Sequence, residues 1–329
     1  VNSGACVDLH THSTRSDGAL APAALVERAA AAGVEVLALT DHDTTAGLDE
    51  AQLAARRAGI QLVPGVEISA AWRFQSIHVL GLWVDPAAPP LEDALERQME
   101  RRRMRMRRIC AALGKLRLPG DELLAAVEAH PGVPTRTHLA AALEAGGHVA
   151  RADDAFRKYL GRGKPAHVAV DWPALEEVVG WIRAAGGIAS LAHPARYALS
   201  SGGRKRLVAD FAAAGGGAIE VISGGNGAQQ AQAGAALAAK FGLRGSVGSD
   251  FHSPQLPWNP LGRLAKLPDG VEPVWTDPTW SSRVSKHTVR TDPVGTDPVG
   301  TDPVGTDPVG MDPVRMDPVR MDPVRMDPV

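Results

Sequence analysis

Val7-Asp8-Leu9-His10-Thr11-His12-Ser13-Thr14-Arg15-Ser16-Asp17-Gly18 begins as an alternating apolar segment and ends in a polar turn closed by glycine. Such alternation reads as a buried strand, and the Gly-terminated stretch as the loop leaving it. His10 and His12 stand two apart, so on a strand both imidazoles share one face. With the Asp17 carboxylate just beyond, they make one corner of a candidate metal site. A lone His-x-His pair more often faces solvent, so the rest of the chain must decide.

The same motif of an apolar strand ending in a ligand-type residue recurs along the chain. Strands are expected at 6–10, 34–40, 60–66 and 76–84. The second delivers Asp41-His42-Asp43, the third delivers Glu67 and the fourth carries His78. Helices are expected at 21–32, with Pro22 in the first turn and Gly33 as the stop, and at 44–58, ending at Gly59. From Leu91 the character changes. Leu91, Leu95, Met99, Met106, Ile109 and Leu113 recur at near-helical spacing, opposite Arg97, Arg101, Arg102, Arg103, Arg105, Arg107 and Arg108. Short helices are expected at 121–129, 135–146 and 152–160, making 91–168 a helical insertion. The alternation then resumes, with helices at 175–185, 204–214 and 229–241. Strands follow at 187–192 (delivering His193), 218–223 and 243–249 (delivering Asp250 and His252). Regular strand–helix alternation predicts parallel α/β architecture. Seven strands, most followed by a helix, fit a closed barrel better than an open sheet, with the chemistry at the C-terminal ends of strands.

Composition is that of a soluble globular protein, 44% hydrophobic and 22% charged. No apolar run approaches the ~20 residues that cross a bilayer, and no signal peptide is evident, so a cytoplasmic protein is expected. The chain opens on Val1, which points to missing N-terminal residues. Cys6 and Cys110 are the two cysteines, too few for a disulfide framework or a cysteine zinc site. Any metal must therefore be held by His and carboxylates. Net charge is -2, but residues 290–329 contribute four arginines and eight aspartates, leaving the remainder slightly basic. Neither balance demands a nucleic-acid partner. No stable DNA binding, membrane association or obligate protein partner is expected. From Thr291 the chain repeats Thr-Asp-Pro-Val-Gly four times, then Met-Asp-Pro-Val-Arg three times and a truncated last unit. Proline in every unit blocks helix and regular sheet, so 281–329 is expected to be a disordered low-complexity tail.

Collected from the strand ends, the candidates are His10, His12, Asp17, His42, Glu67, His78, His193, Asp250 and His252, including six of the eleven histidines. Nine ligands exceed the four that one zinc takes and suit two or three divalent ions. Asp43 reads as a supporting or turn-forming residue. Such clusters suit phosphoester hydrolysis, in which metal-bound hydroxide attacks and the ions offset phosphoryl charge. No further catalytic side chain is assigned. No Ser-His-Asp arrangement, P-loop or Rossmann glycine fingerprint competes.

Asp8-Leu9-His10-Thr11-His12-Ser13, Thr40-Asp41-His42-Asp43, Pro64-Gly65-Val66-Glu67, Ile77-His78, Ala192-His193-Pro194 and Gly248-Ser249-Asp250-Phe251-His252 resemble the motifs of the polymerase-and-histidinol-phosphatase (PHP) family. The resemblance spans about residues 6–275. It is greatest to the branch holding 3',5'-nucleoside bisphosphate phosphatases and RNase AM-type 5'-to-3' exoribonucleases. It implies a distorted seven-stranded (β/α) barrel, formed by 1–90 and 169–280, with the insertion 91–168 capping the active site. It implies two to three divalent ions, foremost Mn, with Zn and Fe as alternatives. His10, His12, Glu67 and Asp250 would hold one ion, Glu67, His78 and His193 a second, and Asp17, His42 and His252 a third. The implied substrate is a nucleotide or a short 5'-phosphorylated RNA. Arg136 and His138 would bind its phosphate, with Lys158, Arg162, Lys164 and Arg196 as weaker candidates. Thr137 stands where the family usually has proline. The alternatives are a histidinol-phosphate phosphatase and a non-catalytic metal-binding accessory domain.

Overall fold

Seven strands pair in chain order, β1 (Val7–Asp8), β2 (Val36–Leu39), β3 (Gln61–Trp72), β4 (Gln75–Leu82), β5 (Ile188–Leu191), β6 (Ala218–Ser223) and β7 (Arg244–Gly248). The structure, a computed structural model, describes residues 4–256 and 259–281. The expected disordered tail lies outside them, apart from Ser281. The chain closes on itself where Leu9 N–H donates to Val247 O (2.9 Å) and Thr11 bridges Phe251. The result is a nearly closed seven-stranded barrel. Its strands are short apolar runs buried along most of their length, which is the pattern expected of strands covered on both faces.

The expected parallel arrangement is corrected at one strand. β4 runs antiparallel to both β3 and β5, while the other pairs are parallel. The cause is the connection. Only Arg73 and Phe74 separate β3 from β4, and a parallel return needs a dozen residues or more. β3 also runs well past the expected end at Val66, so Glu67 lies mid-strand. Because β4 is reversed, its early residue His78, paired with Ser69, reaches the end of the barrel where the other strands finish.

Helices α1 (Pro22–Ala31) and α2 (Leu48–Ala58) follow β1 and β2, the second closed by Gly59 at φ 71°. The insertion comprises α3 (Pro89–Lys115), α4 (Gly120–Glu128), α5 (Arg136–Ala145) and α6 (Ala152–Ala155), which continues as a π-turn over Phe156–Leu160. Helices α7 (Leu175–Ala184), α8 (Ser201–Ala213) and α9 (Ala228–Phe241) pack around the later strands. The buried stripe of α3 differs from the expected one. It runs Leu91, Leu95, Gln98, Arg102, Met106, Ile109 and Leu113, so Gln98 and Arg102 replace Met99 in its middle. The first residues of this stripe pack on the barrel core, and the last join a second apolar cluster with Leu123, Leu139, Leu143 and Leu160. None of the helices among the described residues is long and apolar enough to cross a membrane.

Candidate metal centre

His10 and His12 leave the end of β1, His42 follows β2, His193 follows β5, and Asp250 and His252 follow β7. Glu67 and His78 come from the β3–β4 hairpin and Asp17 from the loop after β1. Asp43, His193 and Asp250 hold φ of 49°, 29° and 54°. Positive φ is costly for residues with a Cβ, and it concentrates here at the strand ends that build the site.

The atoms of His10, His12, Glu67 and Asp250 converge. His10 Nε2 lies 3.1 Å from His12 Nε2 and 3.3 Å from both Glu67 Oε2 and Asp250 Oδ1. His12 Nε2 lies 3.2 Å from each of those oxygens. Ligands ~2.0 Å from a shared centre in a tetrahedron stand about 3.3 Å apart, so the spacing matches a zinc-type divalent ion. Glu67 Oε2 has no hydrogen-bond partner among the described residues although three imidazole nitrogens lie within 3.3 Å of it. Its lone pairs are satisfied if they share a cation with those nitrogens. Two further groups overlap the first. His12, Asp17, His42 and His252 form one, and His42, Glu67 and His78 the other, each with donor atoms within 4.8 Å of one another. Asp17 Oδ1 is 3.4 Å from His252 Nε2 and 3.7 Å from His42 Nε2. Glu67 Oε1 lies 2.9 Å from His78 Nδ1 and 3.0 Å from His193 Nε2. All nine candidates thus meet in one cluster, with Glu67, His12 and His42 shared between groups. These residues fit more than one ion.

Electrostatics fit the same conclusion. Burial pushes the carboxylates of Asp17, Glu67 and Asp250 up, but the surrounding histidines more than reverse it and hold all three well below the usual range. Burial lowers His12, yet Asp250 and Glu67 outweigh it and raise the imidazole to about 10. Ionised carboxylates buried together create a demand for positive charge, met by protons or by metal ions.

Several supporting residues have partners that sequence reading did not give them, and Glu220 was missed altogether. Glu220, on β6 and 1% exposed, accepts from His10 Nδ1 at 3.1 Å and from the His193 backbone N–H at 2.5 Å. A carboxylate can only accept, so Nδ1 carries the proton and Nε2 presents its lone pair to the cluster. A buried glutamate inside Ala218-Ile219-Glu220-Val221-Ile222-Ser223 was the available signal. Gly248 lies against it, where a Cβ would overlap both His10 and the Glu220 carboxylate. Asp41 accepts from Ser13 N, Ser13 Oγ and Ser16 Oγ at 2.6–2.7 Å, fixing the 10–17 loop to the end of β2. Asp43 pairs with Arg102 Nε at 2.6 Å and takes Ser69 N–H at 2.8 Å, anchoring α3 beside His42. Arg196 bonds Asp250 Oδ2 and Gly224 O, so it orients a cluster carboxylate.

A cleft of about 820 Å³ opens over the metal groups, lined by Asp17, His42, His78 and His252 on one side. The insertion supplies Arg102, Arg105, Arg136 and Arg162 to the same cleft. Arg102 and Arg105 lie over the Trp172 ring, 5.4 and 5.9 Å from its centroid, and Arg136 lies 5.8 Å from that of Phe156. Burial and the neighbouring Arg136 and Arg102 push Arg105 down to about 9, and its Nε has no hydrogen-bond partner among the described residues. His138 sits differently from Arg136. Its N–H donates to Thr135 Oγ1 (3.4 Å), and its Nδ1 accepts from Thr135 N (3.3 Å), so it caps α5. Burial and His130 lower it to about 4, so at neutral pH it brings no positive charge to a phosphate. Lys158 is exposed, outside the cleft lining. Thr137 donates to Asp17 Oδ2 at 3.0 Å, a contact that proline at this position cannot make.

Residues 8–132 match the sequence profile of the PHP domain. A 5'-3' exoribonuclease of Haemophilus influenzae is 44% identical over 272 residues, covering 82% of this chain and 97% of its own. A 3',5'-nucleoside bisphosphate phosphatase of Chromobacterium violaceum is 42% identical over 273 residues, covering 82% of this chain and 95% of its own. Among solved structures, a C. violaceum amidohydrolase with bound sulfate and no metal superposes with a TM-score of 0.78 at 41% identity. It covers 85% of this chain and 97% of that one. With its barrel, its shared His and carboxylate cluster and relatives matched over nearly their full length, the chain belongs to the PHP family of metal-dependent phosphoesterases.

Proposed function

We propose that the protein hydrolyses the 3' phosphoester of a nucleotide that bears a 5'-phosphate. The substrate is a nucleoside 3',5'-bisphosphate or the 5' end of a short RNA, and both present the same bond to the same site. The observation that carries this reading is the arginine group that shares one cleft with the metal groups, in which half-buried Arg105 and Arg136 have no carboxylate partner among the described residues and Arg105 Nε has no acceptor there. A guanidinium held in that way is complementary to a second, unreactive phosphate. A simple monoester phosphatase has no use for two anion sites.

His10, His12, Asp17, His42, Glu67, His78, His193, Asp250 and His252 are the proposed ligands of two to three divalent ions, with manganese the metal we expect. Such ions supply Lewis acidity toward water and the phosphoryl oxygens at neutral pH. The chain's own residues do the rest. Arg105 and Arg136 grip the 5'-phosphate, and Arg102, neutralised by Asp43, braces them from behind. Glu220 and Arg196 fix the donors of the cluster, and Thr137 ties the cap at 91–168 to Asp17. We place the protein in the cytoplasm, a reading supported by its free cysteines Cys6 and Cys110.

The test compares turnover of adenosine 3',5'-bisphosphate, a 5'-phosphorylated oligoribonucleotide and histidinol phosphate by the manganese-loaded protein. Activity on the first two is expected to dominate. A preference for histidinol phosphate refutes the nucleotide assignment, and no turnover of any, with metal verified, favours a non-catalytic role.

A further inference from the structure

The hairpin between β3 and β4 turns on Arg73 and Phe74, flanked by the paired Trp72 and Gln75. A two-residue turn favours glycine or asparagine wherever φ is positive, yet Arg73 holds φ 53°. Phe74 beside it is 96% exposed, the single aromatic among the large exposed hydrophobic side chains described. Neither residue serves the turn, and Phe74 buries little apolar surface. The tip is nevertheless braced. Arg73 lies over the Trp72 ring at 5.0 Å and 3.9 Å from Asp210, which also accepts the Trp72 indole N–H at 2.8 Å. A rigid, strained apex presenting a bare phenyl ring is the local disagreement between sequence and structure that marks function.

That ring lines the cleft of the metal centre. Trp172, Phe156 and Tyr197 line it too, but guanidiniums lie over the first two rings, and Tyr197 packs edge-on against His193 while its hydroxyl accepts the His78 N–H. We propose that Phe74 is the platform on which the base of the bound nucleotide stacks, an inference that rests on the nucleotide reading above. The arginines take the 5'-phosphate and the metal ligands face the 3' phosphoester. The base, carried on the ribose between them, then extends toward the open rim where Phe74 stands. Every base has a π-face, so one ring confers affinity for nucleotides without selecting among bases.

Calorimetric binding of adenosine 5'-monophosphate and of ribose 5-phosphate to the manganese-loaded wild type, Phe74→Ala and Phe74→Trp tests this. Phe74→Ala should weaken the nucleotide by roughly fivefold or more and leave ribose 5-phosphate unchanged, with Phe74→Trp close to wild type. Equal affinity for both ligands in the wild type, undiminished nucleotide affinity in Phe74→Ala, or equal loss for both ligands overturns the platform. Turnover of adenosine 3',5'-bisphosphate by the wild type is read separately. Its absence refutes the proposed reaction, while the binding comparison still decides Phe74.

Discussion

Replacing Glu220 by glutamine changes one atom type and tests how the cluster is held. The carboxylate receives two N–H donors, His10 Nδ1 at 3.1 Å on Oε1 and the His193 backbone N at 2.5 Å on Oε2. A glutamine amide has one oxygen, so in either flip its NH2 group confronts one of those donors. One buried N–H therefore loses its acceptor, at a cost of about 1–3 kcal/mol. If His10 is the loser, its ring is no longer locked with Nε2 toward Glu67 and Asp250. If His193 is the loser, a strand end held at φ 29° is released. Loss of such an outer partner lowers metal affinity by roughly 10- to 100-fold. Calorimetric manganese titration of the metal-stripped protein reads this directly, and thermal unfolding should show a Tm lower by roughly 2–10 °C. Manganese affinity within twofold of wild type in a folded Glu220→Gln variant would refute the role given to this residue.

Asp43→Asn leaves the Arg102 guanidinium, 7% exposed, without its counter-charge, a loss of about 3–5 kcal/mol for a broken buried pair. Burial raises the Asp43 carboxyl, but Arg102 and the Ser69 N–H more than reverse it, so its folded value lies below 3.8. The pair's stabilisation is therefore complete above the unfolded carboxyl value and vanishes as pH falls through the folded one. Urea unfolding from pH 6 down to pH 2 should show a shallower acid slope in Asp43→Asn, and an unchanged slope would count against the pair. Arg105→Met should reduce kcat/KM for adenosine 3',5'-bisphosphate by roughly 10- to 100-fold, from one lost charge-assisted contact. A substrate lacking the 5'-phosphate should be hydrolysed equally by both proteins, and an equal loss there would disprove the assignment. Stripping the metals with a chelator should abolish turnover and lower Tm together, because buried carboxylates lose their counter-ions. A Tm that does not move would mean the cluster carries no metal in solution.

Much of the site was legible because its signal is local. Apolar runs that end in His or carboxylate occur at His10, His42, His193 and Asp250, and each strand end marks its own ligand without knowledge of its neighbours. Helix α3 was legible as a helix for the same reason. Its buried face was read wrongly at Met99, because Asp43 lies beneath the helix and draws in Arg102 instead. The resemblance implied His138 as a phosphate ligand beside Arg136, yet it stands three residues from Thr135, the spacing of a helix cap, and in the structure it makes that cap. Glu220 carried only a weak signal, one charge inside an apolar strand, and its partner His10 is 210 residues away.

The sequence by itself determined the strand and helix inventory, the pool of nine candidate ligands and the basic face of the insertion, since all of these follow from short-range period and residue type. Tertiary structure alone decided that β4 reverses, bringing His78 to the rim shared by Glu67 and the other candidate ligands. It also decided that Glu67, His12 and His42 are shared among the candidate metal groups, and that Arg102, Arg105, Arg136 and Arg162 line the cleft while Arg101, Arg103, Arg107 and Arg108 stay outside it. Those choices depend on barrel closure and on which side chains meet across more than a hundred residues of chain, and local periodicity holds no record of such contacts.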